Sequence, residues 1–252
     1  MNPVHDPQRE LAELQSYLGD AYDDRRIKLY EEQLDEEYEQ IGDEQRMYRE
    51  SEGYLYNLTA FAMTGTKRPY HELLVRHATP GAKLLDYGCG IGSDGLALLE
   101  AGYDVSFADF DNPSTRYLRW RLENRGLSAP IYDLDAGPPP GGFALTYAFD
   151  VIEHVADPFG FLARMEEQAA LVLVNFLEPE PGETELHREL PVDELVAHAA
   201  ARDLRACRIY HGRSHVVLYA PEPAHGIARL RSRALPMLAR CRRWIASHSA
   251  GG

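Results

Sequence analysis

Polar and apolar positions along this chain change period repeatedly, so that helical and strand-like stretches follow one another. Up to about Asn57 the chain is rich in Glu, Asp and Tyr, with Ile27, Tyr30, Leu34, Tyr38 and Ile41 at helical spacing. That spacing predicts one or two amphipathic helices with a solvated acidic face. An apolar, aromatic helix from Tyr54 to Phe61 leads to a loop at Thr64–Pro69, and a further helix is expected over Tyr70–His77. From Lys83 the pattern becomes a short apolar strand, breaks at a glycine-rich turn over Asp86–Gly92, and opens a helix at Ser93-Asp94 backed by Leu96, Leu98 and Leu99. Tyr103–Asp109 alternates as a second strand. A helix over Pro113–Arg125 follows, with Asp111 or Asn112 as its cap, and a third short strand lies near Pro130–Tyr132. Phe143–Asp150 reads as a central strand, Phe159–Gln168 as a helix, and Ala169–Phe176 as an unbroken apolar run of the kind buried on both faces. After a helix from Pro191 to near Arg202, strands at Leu204–Tyr210 and His215–Ala220 are joined by His211–Ser214, a turn short enough to require an antiparallel pair.

Composition narrows the class of protein. The chain has 252 residues, 44% hydrophobic and 26% charged, with no apolar run near the ~20 residues that span a bilayer. The start, MNPVHDPQRE, lacks a basic-then-apolar leader, so a cytoplasmic protein with no membrane span is expected. Cys89, Cys207 and Cys241 are too scattered for a disulfide framework or a Cys-based zinc site. A net charge of −14 disfavours a phosphate-backbone binder and therefore nucleic acid, which leaves small molecules as partners. From Ala224 onward six arginines and no acids accompany apolar residues, reading as a basic amphipathic helix interrupted at Pro236. Such a helix could meet an anionic surface; docking against the acidic N-terminal helices, within the chain or in a homodimer, explains its charge more economically.

The order strand, glycine turn, helix is that of a nucleotide site. The spacing here is Gly88-x-Gly90-x-Gly92 with Asp86 two residues ahead, whereas dinucleotide binders use Gly-x-Gly-x-x-Gly. An acid beside the loop suits a ligand with an ammonium or sulfonium group. About twenty residues on, Asp109 ends the second strand, at the interval of a ribose-binding acid.

Asp86–Gly92 resembles motif I of the class I S-adenosylmethionine-dependent methyltransferases, and Asp150-Val-Ile-Glu-His-Val-Ala-Asp-Pro resembles the corresponding segment of the ubiquinone-biosynthesis-type small-molecule branch. The resemblance covers about Tyr70–Ala220. It implies an α/β fold: a three-layer Rossmann-like sandwich on a mostly parallel seven-strand sheet with an antiparallel last strand, here with helical N- and C-terminal extensions. It divides the chain into an acidic helical cap or lid (residues 1–69), a methyltransferase core (70–220) and a basic C-terminal helix (221–252). It also implies S-adenosylmethionine as cofactor. Asp86, Gly88, Gly90 and Gly92 would hold its methionine end, Asp109 the ribose, and Phe110, Asp133 and Leu134 the adenine, with Phe149 beside the cofactor; Asp135 competes with Asp133. The Leu134 backbone N–H is assigned to a ring nitrogen. Tyr54, Tyr56 and Tyr70 are candidates at the methionine end, although core packing accounts for each of them more simply.

The expected activity is methyl transfer to a small acceptor, a metabolite hydroxyl first and an amine second, with His154 as general base beside Glu153. A second reading uses the same residues differently. Asp150-x-x-Glu153-His154 resembles the Glu-x-x-Glu-His of metal-dependent sugar-hydroxyl methyltransferases, in which a divalent cation would take Asp150, Glu153, His154 and a distant histidine, His187, His211 or His215. The long acidic loop Leu177–Leu190 would line the substrate pocket. Two other classes remain on these residues: a nicotinamide oxidoreductase, opposed by the glycine spacing, and a cofactor-binding module without catalysis.

Overall fold

The computed structural model describes residues 6–180 and 186–249. The chain divides into two compact units, 1–139 and 140–252.

The first unit begins with α1 (Pro7–Leu18), α2 (Asp24–Lys28), α3 (Tyr30–Ile41) and α4 (Glu44–Glu50), four helices where the periodicity predicted one or two. The extra boundaries are set by capping acids that the apolar stripe does not register. Asp6 accepts from Gln8 and Arg9 N–H, Asp23 from Arg25 and Asp43 from Arg46, and Gly42 ends α3 in a left-handed turn. Then come α5 (Gly53–Thr64), α6 (Arg68–His77), β1 (Lys83–Tyr87), α7 (Ser93–Glu100), β2 (Asp104–Asp109), α8 (Pro113–Asn124) and β3 (Ile131–Asp133). Asn112, not Asp111, caps α8. Its side chain accepts from Thr115 N–H at 3.0 Å while Thr115 Oγ1 accepts from Asn112 N–H, and Asp111 pairs instead with Arg119. β1 and β2 run parallel, Lys83 opposite Asp104 through Tyr87 opposite Ala108, and β3 joins β2 in parallel. Leu14, Leu55, Tyr56, Ile91 and Tyr117 form one buried cluster, so the N-terminal helices share a core with the glycine turn and α8.

The second unit contains β4 (Leu145–Ala148), a 3-10 turn (Ile152–His154), α9 (Pro158–Gln168), β5 (Val172–Leu177), α10 (Val192–Ala201), β6 (Arg202–Tyr210), β7 (Ser214–Pro223) and α11 (Gly226–Ser249). β4 is shorter than the predicted Phe143–Asp150: Phe143 makes only an isolated bridge to Ala169, and Asp150 turns out of the strand with φ 55°. β5 runs parallel to β4, and β7 is antiparallel to both β5 and β6. The seven strands take the order β3-β2-β1-β4-β5-β7-β6 in a mixed, Rossmann-like sheet.

The predicted break at Pro236 is absent, because α11 runs through it. Packing on β6 and α10 holds the helix across the missing N–H: Ser232, one turn earlier, is buried and accepts from Leu204 N–H of β6 at 3.0 Å, and Ala239 is buried beyond it. Three of the tail arginines pair with acids of their own unit, Arg231 with Asp203, Arg240 with Asp193 and Arg243 with Glu178.

Candidate functional site

In the first unit the glycine turn is hooked onto the end of β2, where the N–H groups of Gly88 and Cys89 both donate to Ala108 O, at 2.8 and 3.2 Å. Gly90 and Gly92 have φ of 51° and 73°, and neither has room for a side chain. A Cβ on Gly90 would lie 2.9 Å from Leu58 of α5, and one on Gly92 2.4 Å from Leu118 of α8. Asp86 is buried at the end of β1. Gly95, which sequence reasoning passed over, lets α7 approach the sheet: a Cβ there would meet the Phe107 ring at 2.2 Å and Asp86 Oδ2 at 2.9 Å. Its signal was the fourth glycine of Gly88–Gly95. Asp94, in the first turn of α7, is held by Lys67 at 3.1 Å and by buried His71 at 2.8 Å.

Asp109 is tied directly to this turn. Its Oδ2 accepts from Gly90 N–H and its Oδ1 from Phe110 N–H, both at 2.7 Å. Burial raises the pKa of its carboxyl, and the two N–H donors oppose the rise without cancelling it. Burial, with Asp109 and Asp86 nearby, likewise pushes the Cys89 thiol well up. Phe110 lies under the Arg49 guanidinium of α4, 4.7 Å from its ring centre, and Arg49 in turn pairs with Asp135 through both nitrogens. Asp133 Oδ1 accepts from Asp135 N–H at 3.0 Å. The Leu134 N–H expected to meet a ring nitrogen is donated to Asp109 O at 3.0 Å, the next rung of the parallel β2–β3 ladder in which Asp109 lies opposite Asp133.

A buried ionic brace stands behind the turn, and no motif announces it. Arg121 of α8 is fully buried. It donates to Ile91 O and Ser93 Oγ at 2.9 Å, to Glu10 at 2.6 Å and to Glu13 at 2.8 Å. Ser93 Oγ donates to Glu10, and Arg125 grips both oxygens of Glu13 at 2.7 Å. Burial would raise the pKa of Glu13, but hydrogen bonds and charge from Arg125 and Arg121 bring it below the ordinary carboxylate value. The only trace in the sequence was acids three apart on α1 and arginines four apart on α8. Tyr56 and Tyr70 are core residues; the Tyr56 hydroxyl accepts from Asp23 N–H at 2.9 Å.

In the second unit, Asp150 exchanges two hydrogen bonds with the fully buried Asn175 of β5: its N–H donates to Asn175 Oδ1 at 2.8 Å and its Oδ1 accepts from Asn175 Nδ2 at 2.7 Å. This pair stabilises a left-handed backbone that a non-glycine residue rarely adopts. Asn175, also missed, was visible as the one polar residue in an apolar run. Phe149 is buried, its ring 5.2 Å from that of Tyr147. Glu153 is 1% exposed. Two bonds bring the 186–188 segment onto the 3-10 turn, one between His154 Nδ1 and Leu186 O at 3.0 Å and the other from Arg188 N–H to Glu153 O at 2.8 Å. Between them His187 stands with its ring 4.8 Å from that of His154. Glu153, His154 and His187 each offer a ligand atom, all within 4.8 Å of one another, and this is the candidate metal cluster among the described residues. Asp150 is not part of it. His215 is engaged by Glu178 at 2.5 Å, and His211 sits in the β6–β7 turn. Residues 181–185 of the expected substrate loop lie outside the described residues.

Chemically, an Nδ1–H donated to Leu186 O leaves His154 Nε2 with a lone pair, able to accept a proton or bind a cation. No helix among the described residues is long and apolar enough to cross a membrane.

A profile described as a methyltransferase domain matches residues 54–217. No curated protein matches the sequence. Among solved structures, the chain is similar to the magnesium protoporphyrin IX methyltransferase ChlM of Synechocystis PCC 6803 with bound SAM. The TM-score is 0.51 and the identity 14%, over 76% of this chain and 96% of that one. It is also similar to the PH0226 protein of Pyrococcus horikoshii OT3, with a TM-score of 0.52 and 17% identity over 70% and 96% of the two chains. The chain spans 61% of TehB from Haemophilus influenzae, covering 60% of itself at 17% identity with a TM-score of 0.49.

Proposed function

The chain belongs to the methyltransferase-domain family and is a class I S-adenosylmethionine-dependent methyltransferase; from that premise we propose that it methylates a hydroxyl oxygen of a small-molecule acceptor. The first unit suits the cofactor. Asp86 is buried at the end of β1, Gly90 and Gly92 of the positive-φ turn lie against Leu58 and Leu118, and Asp109 keeps further lone pairs for ribose hydroxyls after accepting its two N–H groups. Asp86, Gly88, Gly90 and Gly92 would hold the methionine end, Asp109 the ribose, and Phe110, Asp133 and Leu134 the adenine. When bound, the cofactor supplies a methyl group activated on a sulfonium. We read residues 1–69 as a cap on a core of 70–220, with 221–252 as an appended helix.

The observation that carries the oxygen acceptor is the His154 Nδ1–Leu186 O bond, which presents Nε2 as a base beside a buried carboxylate. His154 takes the hydroxyl proton, and Glu153 offsets the charge that develops on the imidazole. The test is S-adenosylhomocysteine formation across matched alcohols, phenols and amines. Turnover of hydroxyl acceptors that falls about a hundredfold or more in His154→Ala supports the reading. Turnover of amines alone, or an unaffected His154→Ala, contradicts it.

The Glu153–His154–His187 grouping favours one second reading, in which the same residues bind a divalent cation that acidifies the acceptor hydroxyl. Activity abolished by EDTA, restored by Zn or Mn and lost in His187→Ala would select it over simple base catalysis.

A further inference from the structure

The helix α11 has two opposed faces. One, carrying Ser232 and Ala239, is buried against its own unit. The other is apolar and open: Ile227, Leu230, Met237, Leu238, Trp244 and Ile245 are 86, 70, 70, 51, 62 and 56% exposed. These are six of the eight large hydrophobic side chains exposed among the described residues, so the exposed apolar surface is concentrated on one helix. At about 100° per residue they fall within an arc of about 120°, opposite the docked face.

Arginines border this arc on both sides, Arg229, Arg233 and Arg240 along one margin and Arg231 and Arg242 along the other. Arg229, Arg233 and Arg242 are exposed and take no part in the ion pairs that α11 makes with Asp193, Asp203 and Glu178. No Asp or Glu occurs from Ala224 to Gly252, so this segment carries +6 while the chain as a whole carries −14. A second copy would set basic margins against basic margins with no acid on either helix to offset them. An anionic partner with an apolar interior meets both features of the face.

We propose that α11 lies in the plane of an anionic lipid surface. Its open face sits at the boundary of headgroups and acyl chains, and its flanking arginines lie among the phosphates. Trp244 has the amphipathic ring that favours that depth. The acidic remainder of the chain is repelled by the same surface, so the attraction comes from this helix.

The test is flotation of the full chain with vesicles of phosphatidylcholine alone and of phosphatidylcholine with phosphatidylglycerol, at low and high salt. Binding to the anionic vesicles only, weakened by salt, is expected. Each solvent-facing arginine contributes about fivefold to partitioning, so Arg229→Ser/Arg233→Ser/Arg242→Ser lowers it about a hundredfold. Met237→Gln/Trp244→Gln lowers it further, while thermal midpoint and S-adenosylmethionine binding stay unchanged in both variants. Absence of binding, equal binding to neutral vesicles, or an unaffected arginine variant overturns the proposal. So does a concentration-dependent dimer abolished by Met237→Gln/Trp244→Gln, which would assign the face to a second copy.

Discussion

Replacing Arg121 by Met tests whether the cofactor turn is held from behind. Arg121 is fully buried, and its removal leaves Glu10 and Glu13, 3 and 4% exposed, with one cation fewer. Removing one member of a buried ionic group costs about 3–5 kcal/mol. Arg125 still grips Glu13, so the lower end applies, about 3 kcal/mol. For a chain of this size that corresponds to a fall in thermal midpoint of about 6–12 °C. The Ile91 carbonyl and Ser93 hydroxyl also lose their donor, which loosens the glycine turn and weakens S-adenosylmethionine binding. The triple variant Glu10→Met/Glu13→Leu/Arg121→Met separates the two effects. It removes the stranded carboxylates and leaves Arg125 with Glu100, so stability returns to near the parent value while cofactor affinity stays reduced. Thermal unfolding and calorimetric titration of the three proteins read both quantities. A loss below about 1 kcal/mol in Arg121→Met with unchanged cofactor affinity would refute the reasoning, since no charge would then have been stranded.

Gly95→Ala forces a methyl into the Phe107 ring, costing about 1–3 kcal/mol and weakening cofactor binding; Phe107→Leu in the same chain relieves most of the loss, and a Gly95→Ala protein of parent stability would contradict the close approach. Acid should destabilise the fold in two stages. Burial lowers the pKa of His215, so its contribution is complete above the unfolded value of about 6.5 and is lost as pH falls through the folded one. Glu13 and Glu178 are also lowered, their partners outweighing burial, so their contributions are lost at still lower pH, and a melting temperature that is flat or rises from neutrality to pH 4 would contradict this. Because burial raises Asp109, cofactor affinity should begin to fall at a higher pH than an ordinary aspartate would give; Asp109→Asn should bind weakly at every pH and flatten the profile.

What could be read from the sequence was local. β1, the glycine turn, α7 and Asp109 are consecutive, and the polar or apolar choice at each position follows from which side of one sheet it faces. The same holds for the antiparallel β6–β7 pair, where a three-residue turn admits no other arrangement. Features made by residues far apart in sequence were not legible. The Arg121 brace joins positions 108 and 111 residues apart, and either half alone looks like an ordinary charged helix surface. The Leu134 N–H was assigned by resemblance, but its partner depends on the register that sets Asp133 opposite Asp109 in the parallel β2–β3 pair. Pro236 reads as a helix break because a local rule cannot count the packing of Ser232 and Ala239 on either side of it. His187 could not be chosen over His211 and His215 until the two hydrogen bonds flanking it were in place.

The central claim is that Asp86, the glycine turn and Asp109 make an S-adenosylmethionine site. It is tested most directly by calorimetric titration of the full chain with S-adenosylmethionine and with S-adenosylhomocysteine, repeated on Asp109→Ala. Micromolar binding of both ligands by the parent, lost in Asp109→Ala while its melting temperature holds, is the predicted result. No heat with either ligand, or full affinity without the Asp109 carboxylate, would contradict the account.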